Sequence, residues 1–389
     1  MTKTAFFVTE LGGGLGHFSR LNAMASIARE MGFRTVLVYC SRDLPDHLVS
    51  GWSFDSVLRG PDFPRLVKSP DMLNVGGLAG NLARVGLVDS ETITSVVSGW
   101  HTLFREENPS VVVGDFSPYA RISSLGRLPF VMVGSGYTLP TSNGLLPFEL
   151  QPKKRDPKQV VERIVSQVND ALRNMGSGDI ENAGQCLRGD QNLVACLPFL
   201  DPAANRDVSE YVGPMEALPK GTGTSTDGLN IYGYFHNLTP LDQAVLRNLL
   251  SLGCKVDLFC DADRTSGAEG VTVLDSPQTP TEIIQNYQMV THQAGLGLST
   301  MALLAGIPQL LSPKHTEGHM TALRLQEKGV GYVVSDEVTA SRPGIGAHIK
   351  ALNTPKTIKN IRETAISARG WVAAIDCRGR VFSALNELS

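Results

Sequence analysis

No apolar run in the 389 residues approaches the roughly 20 that a helix needs to cross a bilayer. That excludes a helical membrane protein. Neither sign of charge dominates: 35 Lys and Arg stand against 38 Asp and Glu, a net charge of −3. A general nucleic-acid binder carries excess basic charge, so this balance argues against that class. With 42% hydrophobic and 19% charged residues, the balance is that of a soluble globular chain. Cysteine is scarce. The six, Cys40, Cys186, Cys196, Cys254, Cys260 and Cys377, show no metal-ligand spacing. Cys254 and Cys260 flank a strand-like run and read as core thiols of a reduced, cytoplasmic protein. The chain passes from Lys3 straight into an apolar segment, without the pattern of a secretory signal.

What is present is glycine at two informative places. The first is Gly12-Gly13-Gly14-Leu15-Gly16-His17-Phe18-Ser19-Arg20. Thr4–Thr9 before it reads as a strand. After it, Leu21, Met24, Ala25 and Ala28 fall at i, i+3, i+4 and i+7, the apolar stripe of a helix. Gly32 ends that helix and residues 35–39 form a second strand. The turn suggests a dinucleotide fingerprint, yet the third glycine position holds His17. A histidine there makes sense if the loop does chemistry.

The second place is Thr291-His292-Gln293-Ala294-Gly295-Leu296-Gly297-Leu298-Ser299-Thr300. An apolar strand ends near Thr291, and Ser299–Ala305 reads as a helix capped by Ser299 and Thr300. A helix start offers free N–H groups and partial positive charge to an anion such as a diphosphate. Gly295 and Gly297 leave room for it. Strands alternate with helices in both halves, at 4–9, 34–39, 110–114 and 129–133, then at 230–235, 255–260, 271–274, 288–291 and 308–311. This implies α/β architecture with parallel sheets. The expected division is 1–212, a Pro- and Gly-rich linker at 213–228, 229–360, and a tail at 361–389. Residues 60–90 break the alternation and read as a loop region. Ligands in such sheets bind at the strands' C-terminal ends, so the two turns are expected to face each other across a cleft.

These motifs resemble those of GT-B fold glycosyltransferases, in particular family 1 UDP-glycosyltransferases and their bacterial relatives. Gly14-Leu15-Gly16-His17 is similar to that family's opening. The run from Pro277-Gln278 through His292, Gly295, Gly306-Ile307-Pro308 and Pro313 to Glu317 and Ala322 is similar to its donor motif. The resemblance implies two facing Rossmann-like doubly wound domains, the first taking the acceptor and the second the nucleotide sugar. It implies a tail from about Ile361 that crosses back to the first domain. Departures are plain: Ala294 stands where the family has glycine, Met301 where a glutamate holds the ribose, Asp275 where a tryptophan stacks, and Glu317-Gly318 where an Asp-Gln pair reads the sugar.

An inverting, metal-independent transfer from a UDP- or dTDP-sugar to a small-molecule or glycan hydroxyl follows from this reading. It needs a base of near-neutral pKa. His17 is the candidate, and Asp115, at the end of the apolar strand from Ser110, is the partner that holds it. The expected donor set is Gly14, Gly16, His236, Asn237, Gln278, His292, Gly295, Gly297, Ser299, Thr300 and Glu317. His292 would donate a hydrogen bond to a phosphate oxygen, Gln278 would meet the base, and Glu317 the sugar hydroxyls. His315-x-Glu317-x-His319 is poor zinc geometry, so neither metal nor cofactor is expected. Gly16-His17-x-x-Arg20 also resembles nucleotide-sugar hydrolases. A hydrolase or an epimerase on the same fold, and a non-catalytic nucleotide-sugar-binding protein, stay open as alternatives.

Overall fold

The computed structural model describes residues 2–12, 15–40, 51–64, 75–145, 157–203, 205–215, 229–260, 270–335 and 344–388. The chain divides into two compact units: Met1–Cys196 with Ala203–Glu216 and Asp376–Ser389, and Leu197–Pro202 with Ala217–Ile375. Most of the proposed linker, from 216 to 228, lies outside the described residues.

Unit 1 is built on a six-stranded sheet. Its strands are β1 (Thr4–Thr9), β2 (Arg34–Tyr39), β3 (Ser56–Arg59), β4 (Val111–Asp115), β5 (Phe130–Gly134) and β6 (Gln191–Val194), in the order β3-β2-β1-β4-β5-β6. All pairs are parallel. The runs Ala5-Phe6-Phe7-Val8 and Val111-Val112-Val113 are buried on both faces, as central parallel strands must be. Helix α1 (Leu15–Glu30) lays Leu21, Met24, Ala25 and Ala28 on one face of the sheet. On the other side, Phe104 of the helix Ser90–Glu107 meets Phe6.

Residues 77–84, expected as loop, form the helix α2 (Gly77–Arg84). Leu78, Ala79, Leu82 and Ala83 are buried along it. Gly80 is needed there because a Cβ would stand 1.9 Å from the Val75 carbonyl oxygen. A glycine-rich segment can therefore be helical where its glycines answer to close packing. The neighbouring residues 65–74 are outside the described set.

Unit 2 repeats the plan with β7 (Asn230–Phe235), β8 (Lys255–Cys260), β9 (Thr272–Val273), β10 (Met289–His292), β11 (Gln309–Leu311) and β12 (Gly331–Val333). The parallel order is β12-β11-β10-β7-β8-β9. Each sheet reverses its direction of winding beside its first strand, between β1 and β4 and between β7 and β10. Ligand crevices form at such switch points.

The tail departs from expectation in one respect. Ile361, Ala365 and Ala368, at the start of the expected crossing tail, are buried residues of the helix Pro355–Ala374, and Ile361 and Ala368 pack inside unit 2 beside Leu303 and Leu304. The return to unit 1 comes later, in α3 (Cys377–Leu388), whose Val381, Ala384 and Leu385 join the core around Leu21 and Val131. Arg378 pairs with Glu30, and Arg380 donates to the carbonyls of Val208, Ser209 and Tyr211. Removing Asp376–Ser389 should therefore lower the melting temperature markedly or leave unit 1 insoluble. A truncated protein melting with the parent would contradict this packing.

Candidate active site

His17 lies in the first turn of α1, and Asp115 closes β4, the strand adjacent to β1. The ring Nδ1 is 2.8 Å from Asp115 Oδ1. The other oxygen, Oδ2, accepts from Arg20 Nε at 2.8 Å, and Arg20 Nη2 is 3.1 Å from the same Nδ1. His17 and Arg20 are three residues apart, so they share one helix face. Asp115 is wholly buried. Burial alone would push its carboxyl up; the Arg20 charge and His17 outweigh that and hold it below the usual carboxylate range.

The surrounding backbone is shaped to admit the imidazole. A Cβ on Gly12 would stand 2.3 Å from the ring Cγ of His17. That glycine makes room for the histidine rather than for a phosphate. Phe116 holds a left-handed φ of 52° and stacks at 6.3 Å from the His17 ring. Glu10, just past β1, accepts from the N–H groups of Tyr119 and Ala120. Burial pushes its carboxyl up to about 8, against those hydrogen bonds. Gly16 sits in the first turn of α1; Gly14 is outside the described residues.

At the switch point of the second sheet, the donor motif starts its helix earlier than the sequence suggests. The helix α4 runs from Leu296 to Ala305, with Gly295 at its N-cap. Ser299 N donates to Gly295 O, so the residues without such a partner come before it, at Leu296, Gly297 and Leu298. Ser299 and Thr300 are therefore buried in the second turn and do not cap. Glycine can serve at an N-cap without a side-chain oxygen, and that moved the boundary. No described atom lies within 4 Å of the point a Gly295 Cβ would occupy. Ala294, in the family's glycine position, keeps a left-handed φ of 59° at a cost of about 1 kcal/mol. At Gly318, where the resemblance expects a glutamine, a Cβ would come 2.9 Å from the Gln293 carbonyl oxygen.

His292 is buried at the end of β10, 1% exposed. Its Nε2 lies 3.1 Å from Gln309 Oε1, while Gln309 Nε2 donates to Ser299 O. The amide is thereby oriented, Nε2 carries the proton, and Nδ1 is a bare acceptor. As placed, His292 has no N–H to direct at a phosphate. His236 and Asn237 are exposed just past β7, the former's N–H 3.4 Å from Gln293 Oε1. Gln278 donates its N–H to Tyr232 Oη. Glu317 falls in the first turn of the helix Thr316–Glu327. His236, Asn237 and His292 end or follow strands of the second sheet and Glu317 lies in the helix after β11, whereas His17 and Asp115 belong to the first sheet.

Sequence reading overlooked one group at this edge. Lys314 pairs with the buried Asp242 at 2.8 Å and donates to the Asn237 carbonyl; Ser312 Oγ donates to the other Asp242 oxygen at 2.6 Å. Only the Ser312-Pro313-Lys314 run after an apolar strand hinted at it. Among the described residues no group of three or more His, Cys, Asp or Glu could hold a metal ion, and no helix is long and apolar enough to cross a membrane.

With this geometry the chain can be set beside known proteins. No family model matches it. Over 116 residues it is 31% identical to the elloramycin glycosyltransferase ElmGT of Streptomyces olivaceus. That stretch is 29% of this chain and 28% of the relative's length. Solved structures match over nearly the full length. The calicheamicin glycosyltransferase CalG4 does so at TM-score 0.70 and 16% identity, covering 100% of both chains. The spinosyn rhamnosyltransferase SpnG, complexed with thymidine diphosphate, does so at TM-score 0.67 and 14% identity, covering 98% of this chain and 100% of that one. SnogD from Streptomyces nogalater does so at TM-score 0.66 and 17% identity, covering 100% of both. This chain has the two-sheet α/β fold of GT-B glycosyltransferases, and its likeness to the bacterial members agrees with the resemblance read from its motifs.

Two outcomes test the site as described. Burial lowers the His292 imidazole from 6.5 to about 4, so the folded state excludes a proton that the unfolded chain accepts. Stability from this group is complete above pH 6.5 and is lost as pH falls toward 4, by up to about 3 kcal/mol. Chemical denaturation of His292→Gln across that range should show a flatter acid limb than the parent; parallel curves would refute it. Separately, Gly12→Ala should displace the imidazole and lower turnover about a hundredfold or more while leaving nucleotide affinity intact. Unchanged turnover would deny Gly12 that role.

Proposed function

We propose that the protein is an inverting glycosyltransferase that moves a sugar from a nucleoside diphosphate to an acceptor hydroxyl without a metal. The observation that carries this reading is the pairing of chemistry with topology. A histidine on a buried carboxylate stands at one sheet's switch point, and a helix start with an unobstructed glycine stands at the other's. His17 Nε2 takes the proton of the acceptor hydroxyl, and Asp115 stabilises the imidazolium formed. The acceptor oxygen attacks the anomeric carbon, and the bond to the diphosphate breaks. The free N–H groups of Leu296, Gly297 and Leu298 receive the growing negative charge. One base and one departing group on opposite faces of the sugar give inversion.

The nucleotide we favour is dTDP. Met301, where the family's ribose glutamate stands, is packed among Tyr232, Ile283 and Val290 and offers a ribose no carboxylate. A 2′-deoxyribose has one hydroxyl fewer to satisfy. Thymidine diphosphate is the ligand named for SpnG and for SsfS6 among the structural neighbours. The acceptor is a small molecule or glycan, and the reaction belongs in the cytoplasm.

Calorimetry should show dTDP binding more tightly than UDP. Gly295→Val should abolish that binding without unfolding the protein, since a Cβ there has open space around it. His17→Ala should lower turnover by roughly a hundred- to ten-thousand-fold while dTDP still binds. Release of dTDP from a dTDP-sugar only when an acceptor is present supports transfer. Release with water alone would make the protein a hydrolase, and binding without release would make it a non-catalytic binder.

A further inference from the structure

We propose that Arg20 is a positioning residue of the catalytic centre, fixing which nitrogen of His17 carries the proton and restraining its basicity. This rests on the reading of His17 as the base. The geometry is one of competition. His17 Nδ1 is within hydrogen-bond distance of both Asp115 Oδ1 at 2.8 Å and Arg20 Nη2 at 3.1 Å. One ring nitrogen cannot both donate to the carboxylate and accept from the guanidinium. If it donates to Asp115, Nε2 keeps its lone pair and can act as a base. If it accepts from Arg20, the proton sits on Nε2 and the base is blocked.

Arg20 settles this contest through its other contact. Its Nε holds Asp115 Oδ2 at 2.8 Å, which keeps the buried carboxylate charged and turns Oδ1 toward the ring. An ionised carboxylate attracts the Nδ1 proton, so the tautomer with a free Nε2 is favoured. When His17 becomes an imidazolium, both ring nitrogens carry protons. The Arg20 charge then opposes the cation that Asp115 stabilises. A plain His–Asp pair has no such brake.

Few other charges face the ring among the described residues. Glu10, past β1, spends both oxygens on the backbone of Tyr119 and Ala120. From α3, packed along α1, Arg378 is engaged with Glu30 at the far end of the helix. Arg29, on that same end, pairs with Asp55. Phe116 contributes a ring and no charge. Arg20 and Asp115 therefore set the local field.

The test reads the imidazole directly. The protein has 8 histidines, and uniformly ¹⁵N-histidine-labelled protein resolves ring tautomer and titration, with His17→Gln to assign the signal. In Arg20→Met the His17 titration midpoint should rise by about one pH unit relative to the parent, because a close positive charge is gone. Arg20→Lys, which keeps the charge, should move it less. If Arg20→Met does not fold, Arg20→Gln against Arg20→Lys makes the same comparison. A lowered melting temperature with an unmoved midpoint would mean that Arg20 only braces the fold, and would overturn the proposal. The acid limb of the kcat/KM profile should shift with the midpoint. If the parent transfers no sugar, the functional reading falls, and the titration still decides the role of Arg20.

Discussion

A carboxylate with no exposed surface sets the terms for the first unit. Taking Asp115 out of water costs several kcal/mol unless its oxygens are matched by charge. The match comes from α1, which presents His17 and Arg20 one turn apart and gives each its own oxygen. For that, the helix must start at Leu15, close against the end of β4. A Cβ at position 12 would collide with the ring of His17, so that position is glycine. Phe116 must bend into a left-handed conformation to let the strand end there. The glycine, the strained aromatic and the i, i+3 pair are consequences of one buried charge.

The second unit uses the opposite device. Its helix start is uncharged and its cap is a glycine without a side-chain hydrogen bond, the kind of N-terminus that can take an anion. Around it the charges are already spent on one another. Asp242 takes both Ser312 and Lys314, and His292 is locked by Gln309, which is itself tied to Ser299 O. Such a fixed polar network keeps the glycine turn in place without competing for an anion. Ala294 holds a left-handed φ in the same turn, where a Cβ on Gly318 would come within 2.9 Å of the Gln293 carbonyl oxygen.

The fold was legible because short apolar runs bounded by turn residues alternate with helical stripes, as a parallel α/β sheet requires. Val111-Val112-Val113 and the stripe Leu21, Met24, Ala25, Ala28 lie where their pattern puts them. The edge strands β3, β6 and β12 were missed because Ser56-Val-Leu-Arg59 and Gln191-Asn-Leu-Val194 are half exposed and carry no strong period. The pairing of His17 with Asp115 was legible since each ends or follows a strand in the same sheet. Arg20's place in it was not, because a basic residue one turn along a helix is ordinarily a solvated one. Its burial, at 4% exposure, is settled by a residue 95 positions away.

The same limit explains the misread helix start. Ser and Thr favour N-caps because they satisfy a free N–H, so Ser299 looked like a beginning. That preference assumes a chain that must satisfy its own donors. Here the turn at 294–297 is made of residues that cannot do so, and the hydroxyl of Ser299 is buried without a hydrogen-bond partner in the second turn. A helix N-terminus capped by glycine, with the serine buried one turn later, keeps its first N–H groups clear of side-chain caps, as the proposed diphosphate site requires. The preference that misled at Ser299 and the glycines of the turn thus bear on the same proposed site.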